Sequence, residues 1–329
     1  MRPRLTTKDY IDGILNGDRM VLSRAITLVE SRLSGDRELA QQVLMGVLPH
    51  TGNSSRIGIT GVPGVGKSTF IEVFGQHVVS MGKSLAVLTV DPSSQRSGGS
   101  ILGDKTRMEV LSHHPLAYIR PSATGSSLGG VAHRTREAML LCEAAGYEII
   151  LIETVGVGQS ETLVRSMTDF FLLLMLAGAG DELQGIKKGI MEMADAIAIT
   201  KTDGSNRPLA EQAVSEYRNA LHLFSLSESG WNAPVVTCSA TENEGIGEIW
   251  DLIQNYLTLI HANGYFHKSR QNQNVDWLRS LIRQQLEDRF FIHPEIAEQW
   301  ADTEQAVRSG VELPLPAAQR LLHRFFKEE

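Results

Sequence analysis

Cysteine is scarce in this 329-residue sequence, with only Cys142 and Cys238 present. Both lie in segments that read as a buried helix face and a core strand, which excludes a disulfide framework and a cysteine-rich metal site. Positive charge is also in short supply: 31 Lys and Arg against 38 Asp and Glu leave a formal net charge of −7. That balance argues against broad capture of nucleic acid or of an anionic membrane, since both need an excess of cations. Long apolar runs are missing as well. The most apolar stretch, FFLLLMLAGA from Phe170 to Ala179, has about half the length that a transmembrane helix needs and reads as a central strand. The opening residues, MRPRLTTKDYIDGIL, lack the apolar run of a secretory signal, so the expected location is cytoplasmic, without membrane insertion. What remains is an ordinary globular composition, 42% hydrophobic and 21% charged, enough for one sizeable core with accessory segments.

The most specific feature is GVPGVGKST, from Gly61 to Thr69, between the apolar run Ile57–Thr60 and the helically spaced Phe70, Ile71, Val73 and Phe74. Strand, glycine loop and helix in that order form a phosphate cradle. Gly61 and Gly66 permit torsions that aim backbone N–H groups at phosphate oxygens, at the positive end of the following helix. The expected phosphate-binding residues are Gly61, Val62, Pro63, Gly64, Val65, Gly66, Lys67, Ser68 and Thr69. Lys67 is placed to reach the β- and γ-phosphates, and Ser68 to hold Mg²⁺.

From Arg56 onward, strand-length apolar runs alternate with amphipathic stretches. The runs are Ile57–Thr60, Leu85–Val90, Ala117–Arg120, Ile149–Glu153, Phe170–Ala177, Ala196–Thr200 and Val235–Ser239. This alternation predicts an α/β fold, a doubly wound and mainly parallel sheet with the active face at the carboxyl ends of its strands. Two helical stretches, Tyr10–Leu15 and Met20–Leu33, precede it, followed by a polar linker from Pro49 to Ser55. Three more helices follow it, at Trp277–Phe291, Pro294–Ser309 and Pro316–Phe326. The expected organisation is an N-terminal helical extension (1–50), a P-loop domain (51–262) and a C-terminal helical arm (263–329). The stripe Leu278, Leu281, Ile282 and Leu286 reads as intrachain core in preference to a subunit interface.

Acidic residues stand where a phosphate loop needs metal partners. Asp91 ends the second strand, and Glu153 ends the strand YEIILIE. Asp104 follows the glycine-rich stretch Ser97–Gly103 as a candidate for a loop closing over the metal. Gly156 offers a backbone N–H that senses the γ-phosphate, and Gln159 is a candidate for orienting water. Further along, Thr200-Lys201-Thr202-Asp203 and Cys238-Ser239-Ala240 each follow a strand. The Asp203 carboxylate can accept from the ring N–H and the exocyclic amine of guanine, a pair that adenine lacks. Amides of Ser239 and Ala240 can meet the guanine carbonyl, and the Lys201 stem can pack on the base.

Together these segments resemble a family of guanosine triphosphatases that act as metallochaperone-like partners of adenosylcobalamin-dependent methylmalonyl-CoA mutase, also described as arginine/ornithine transport-system kinase-like proteins. The resemblance spans nearly the whole chain. It rests on GVPGVGKST, on TVDPSS with SGGSILGDKTRM, on ETVGVGQSE and on AGAGDELQGIKKGIMEMAD. It implies a GTPase that binds GTP and GDP with Mg²⁺, homodimerises through its C-terminal arm and controls cofactor loading and protection of the mutase. Lys67 and Ser68 match the family's phosphate and magnesium positions; Asp91, Asp104 and Glu153 its magnesium and hydrolysis positions; Asp203 its guanine reader. Gly178–Lys188 is similar to an additional switch loop facing the partner. One departure is Thr200, where many members carry the Asn that ties the base loop to the phosphate loop. Its absence predicts a looser nucleotide site.

Three other readings share parts of this pattern. A small-molecule kinase would use Lys67, Ser68 and the acids, but it needs a basic lid and leaves Asp203 unexplained. A nickel-delivery GTPase needs thiol and imidazole ligands, and His113-His114 is the only adjacent pair. A membrane-targeting GTPase needs a basic or Met-rich segment, which the C-terminal helices lack.

Overall fold

Strands buried on both faces need apolar side chains at every position, because parallel crossovers place helices on both sides of the sheet. The seven apolar runs satisfy this. They form β1 (Ser55–Gly61), β2 (Leu85–Val90), β3 (Ala117–Arg120), β4 (Ile149–Thr154), β5 (Phe170–Leu176), β6 (Ala196–Thr200) and β7 (Val235–Thr237). In the computed structural model these strands are ordered β3-β2-β4-β1-β5-β6-β7, and every neighbouring pair is parallel. The residues described are 5–31, 33–90, 108–121, 128–154, 160–178, 184–224 and 227–326. The chain winds outward from β1 in both directions, so the carboxyl end of β1 lies at the crevice of a doubly wound sheet.

Among the described residues, ten α-helices lie wholly in the first of two compact units, which runs to Gln273. They are α1 (Thr7–Leu15), α2 (Arg19–Glu30), α3 (Ser34–Val47), α4 (Lys67–Ser80), α5 (Glu109–His113), α6 (Leu128–Ala144), α7 (Ser160–Arg165), α8 (Gln184–Met193), α9 (Arg207–Leu221) and α10 (Ile246–Ala262). Helices α4, α5 and α10 cover one face of the sheet, with Phe70, Phe74, Leu111 and Tyr256 in the core. Helices α1, α2, α3 and α6 cover the other, through Ile14, Ile26, Val43 and Leu141. Residues of α8 and α9 close a third cluster over β5, β6 and β7. None of the described helices is long and apolar enough to cross a membrane.

The N-terminal helices start where side chains can satisfy their free amides. Thr6 and Asp9 form a reciprocal capping box on α1, and Asp18 accepts from the amides of Met20 and Val21 on α2. Helix α3 is absent from the sequence reading. It packs against α1 through Gly46, where a Cβ would meet the Ile11 Cδ1 at 2.2 Å. A glycine inside a helix lowers its propensity, so the local signal is weak where the tertiary packing requires the gap.

The second unit comprises residues 274–329. It holds the later part of α11 (Tyr265–Ile292), with α12 (Pro294–Arg308) and α13 (Pro314–Phe325). Ile296, Ala317 and Leu321 are buried in it. The stripe on α11 corrects an expectation: Leu278, Ile282 and Leu286 are 57%, 50% and 52% exposed rather than core.

Helix α11 also begins twelve residues earlier than its apolar pattern indicates. Its first turns direct inward a stripe at i, i+4 and i+7: Phe266, which is buried, and the half-buried Arg270 and Gln273. The Arg270 guanidinium donates to both oxygens of Asp169, at 2.8 and 2.7 Å, and to the carbonyls of Gly52 and Ser54, at 2.7 and 2.6 Å. It also sits 4.2 Å from the Phe266 ring centroid. The segment read as a polar linker is thereby pinned to the foot of the sheet. Truncating one partner of a buried ion pair strands the other charge, so Arg270→Ala is expected to lower unfolding free energy by about 3–5 kcal/mol. Denaturant titration checks this; an unchanged midpoint would show that the pair carries no structural weight.

Candidate nucleotide-binding site

Strand β1 ends at Gly61, paired in register with Leu174 of β5. A Cβ at Gly61 would lie 2.5 Å from the Leu174 carbonyl oxygen, so no side chain fits there. The loop then turns with Gly64 at φ +78° and Gly66 at φ +96°, and α4 starts at Lys67 directly after Gly66. Val65 is fully buried and anchors the loop, while Pro63, Gly64 and Thr69 are exposed and Ser68 is half-buried. The first amides of α4 therefore open towards the loop's concave side, at the positive end of the helix.

Lys67 folds back along this loop: its Nζ donates to the Gly61 carbonyl at 2.8 Å and to the Val62 carbonyl at 3.4 Å. Burial pushes its pKa down, while the charges of Glu153 and then Glu161 pull it up. Glu153 is buried at the end of β4, level with Ile59 of β1 and Thr89 of β2. Glu161, in the first turn of α7, is equally buried and was not picked out by sequence. In sequence Glu161 stands eight residues beyond Glu153, within the same segment ETVGVGQSE.

Asp91, Asp104, Gly156 and Gln159 lie outside the described residues, as does the middle of the segment Gly178–Lys188. Among the described residues no group of three His, Cys, Asp or Glu side chains converges as a metal site. Ser68 and Glu153 are the described members of the expected magnesium set. A hydroxyl and a carboxylate are hard oxygen donors, which fit Mg²⁺ rather than a soft metal. The histidine pair is engaged locally: His113 Nδ1 bonds the Glu109 carbonyl at 2.7 Å, and His114 Nδ1 accepts from the Leu116 amide at 3.2 Å.

The base-reading segments stand at the ends of β6 and β7, two and three strands from β1. At a strand spacing of about 4.8 Å, β6 lies roughly 10 Å from β1, a span that a nucleotide can bridge from phosphate to base. Asp203 Oδ2 accepts from Ser239 Oγ at 2.5 Å and from Thr241 Oγ1 at 2.8 Å. The hydroxyls of Ser239 and Thr241 hold this carboxyl below the usual carboxylate range. It is therefore a fixed, ionised acceptor. Thr241 was not anticipated, although it lies only two residues beyond Ser239. The Ser239 amide donates to the Glu244 carbonyl at 3.0 Å, so that N–H is already engaged and the contribution of Ser239 is its side chain.

Thr200 alters one expectation. Its Oγ1 donates to the Val65 carbonyl at 2.8 Å, and the next residue, Lys201, donates from Nζ to the Gly64 carbonyl at 2.9 Å. The base loop is tied to the phosphate loop without asparagine. Lys201 holds a left-handed backbone, φ +57°, and its Cε lies 3.9 Å from where a Cβ of Gly66 would sit. Its stem thus runs beside the phosphate loop, between the two halves of the site.

Comparison with known proteins agrees with this geometry. The family profile described as methylmalonyl Co-A mutase-associated GTPase MeaB matches residues 22–295. A probable GTPase of Mycobacterium tuberculosis is 50% identical over 318 residues, covering 95% of each chain. The mitochondrial methylmalonic aciduria type A homolog of Mus musculus is 47% identical over 323 residues, which are 95% of this chain and 78% of that protein. A solved structure described as an LAO/AO transport system kinase superposes with a TM-score of 0.78 at 38% identity, over 99% of both chains.

Proposed function

Since this chain belongs to the family of methylmalonyl-CoA mutase-associated GTPases and is itself a GTPase, we propose that its GTP cycle serves as a chaperone of adenosylcobalamin-dependent methylmalonyl-CoA mutase in the cytoplasm, controlling cofactor loading and protecting the mutase. The observation that carries the nucleotide part is the pair of bonds from Thr200 and Lys201 to Val65 and Gly64, which makes base reader and phosphate loop one cradle. A cradle of this kind lets occupancy by GTP or GDP bias the surrounding loops, as a switch requires.

In this reading Asp203 accepts the guanine N1–H and 2-amino group. The α4 amides and Lys67 hold the β- and γ-phosphates, Lys67 exchanging its carbonyl partners for phosphate oxygens. Water attacks the γ-phosphorus as the bond to the β–γ bridging oxygen breaks, leaving GDP and phosphate. Ser68, Asp91, Asp104 and Glu153 are the oxygen ligands proposed for Mg²⁺, which would neutralise phosphate charge. Gly156 is proposed as the γ-phosphate sensor.

Hydrolysis of GTP by the purified protein is expected to rise when the mutase is added. No stimulation and no binding in a pull-down would remove the mutase from the proposal while leaving the GTPase. Because one similar solved structure is described as a kinase, the same assay includes small-molecule acceptors. Phosphoryl transfer to one of them faster than to water would favour a kinase instead.

The exposed stripe Leu278, Ile282 and Leu286 supports a homodimer formed through α11, since a row of half-exposed aliphatic residues at i, i+4 and i+8 suits a helix partner. The double variant Ile282→Asp, Leu286→Asp is expected to sediment as a monomer where the unmodified protein sediments as a dimer. A wild-type monomer at micromolar concentration would end that assignment.

A further inference from the structure

On the side of the sheet opposite the nucleotide face, the amino ends of β6 and β7 open into a cleft of about 480 Å³. That volume lies within the range of small-molecule sites, roughly 300–1,000 Å³, and nothing in the GTPase cycle uses it. Its apolar lining comes from Met191 and Met193 at the end of α8, Leu221 at the end of α9, and Trp231 and Pro234 before β7. The Trp231 indole N–H is satisfied by the Asp195 carbonyl at 2.8 Å, so the ring offers a ligand only its apolar surface.

The charges in the cleft are unequal in what they can still bind. Arg165 and Asp195 form a two-bond ion pair, at 2.8 and 3.3 Å, and neutralise one another. Arg218 has a single donor on the Val235 carbonyl at 3.2 Å, and a guanidinium carries five N–H groups in a planar fork. His222, the residue that caps the carboxyl end of α9, also lines the cleft. Glu192 on the rim and Arg218 at the edge are both exposed, so solvent screens each of them.

An aliphatic and aromatic wall, with one under-used guanidinium at its edge, suits a ligand that is apolar at one end and anionic at the other. We propose that this cleft is a second ligand site, taking a small amphipathic monocarboxylate of about six to ten carbons with its carboxylate on Arg218.

The test is calorimetric titration of the full-length, GDP-loaded protein with octanoate, octylammonium and octanol, three probes that share a tail and differ in head charge. Octanoate is expected to bind saturably at one site per chain. Binding should weaken by about tenfold or more in Arg218→Glu, the scale of a lost charge-assisted hydrogen bond. GTP turnover should stay unchanged in that variant, since α9 reaches the cleft far from the phosphate loop. Arg218→Gln, which keeps hydrogen bonding but removes the charge, should give an intermediate loss and guards against misfolding of the charge reversal. No octanoate binding below about 1 mM, equal affinity for octylammonium, or indifference to both substitutions would overturn the proposal.

Discussion

Lys67→Ala is expected to lower kcat/KM for GTP hydrolysis by about two to three orders of magnitude, the scale seen when a preorganised donor to developing charge is removed. The Lys67 ammonium is held by two carbonyls of its own loop, Gly61 and Val62. Those acceptors are neutral, so phosphate oxygens at the mouth of the loop would displace them. Burial lowers the pKa of Lys67, and the charges of Glu153 and then Glu161 oppose that shift. The amine is held beside the loop by its carbonyl bonds, and its expected contribution is electrostatic. Lys67→Arg is expected to recover little, because a planar fork cannot reproduce a point charge between two carbonyls in this volume. Single-turnover hydrolysis with labelled GTP, alongside an equilibrium binding measurement, separates chemistry from affinity. Turnover within threefold of wild type would show that Lys67 is only a structural tie within the loop.

Asp203→Asn should redirect base choice rather than merely weaken binding. An ionised Asp203 presents acceptors, which meet the N1–H and 2-amino group of guanine. An asparagine presents a donor there, suited to xanthine, which carries a carbonyl at position 2. Sites built on paired hydrogen bonds reject a mismatched group by as much as about 10⁴-fold, so GTP affinity should fall by roughly two to three orders of magnitude while xanthosine triphosphate becomes the better ligand. The bonds from Ser239 and Thr241 hold the Asp203 side chain in place and should hold an asparagine oxygen in the same way. Competition binding with GTP, ATP and xanthosine triphosphate reads the outcome directly. An unchanged preference for GTP would transfer base recognition elsewhere, with the Ala240 amide the next candidate.

Lowering the pH should weaken guanine recognition only in strongly acid solution. The hydroxyls of Ser239 and Thr241 depress the Asp203 pKa, so its ionised form, and the folding stability these bonds contribute, are present above the usual carboxylate range and lost as pH falls through the depressed value.

How much of this was legible beforehand differs by element. The seven strands were readable because a parallel sheet buried on both faces demands unbroken apolar runs, a local pattern that competes with nothing else in the chain. The phosphate loop was readable because Gly61 and Gly66 occupy places that backbone geometry reserves for glycine. Helix α3 was harder, since Gly46 answers the proximity of α1 and weakens the local signal. The first turns of α11 were harder still. Their inward stripe includes the half-buried Arg270 and Gln273, whose partners are Asp169 and carbonyls about a hundred or more residues away, and hydropathy registers such positions as solvent-facing. On the later turns of α11 the failure ran the other way: an apolar stripe looked like core, yet nothing within the compact unit of residues 274–329 covers it.

The sequence by itself determined the strand set, the phosphate-loop pattern and the candidate for base reading, because each depends on residue types at short, fixed spacings. Only the tertiary structure decided how those pieces act together. It showed that Thr200 ties the two loops by donating to Val65, that Ser239 contributes a hydroxyl while its amide is engaged with Glu244, and that the charge of Glu161 joins that of Glu153 in opposing the effect of burial on Lys67. Hydrogen bonds and fields of this kind depend on distances across the sheet, and strand order, not chain order, sets those distances.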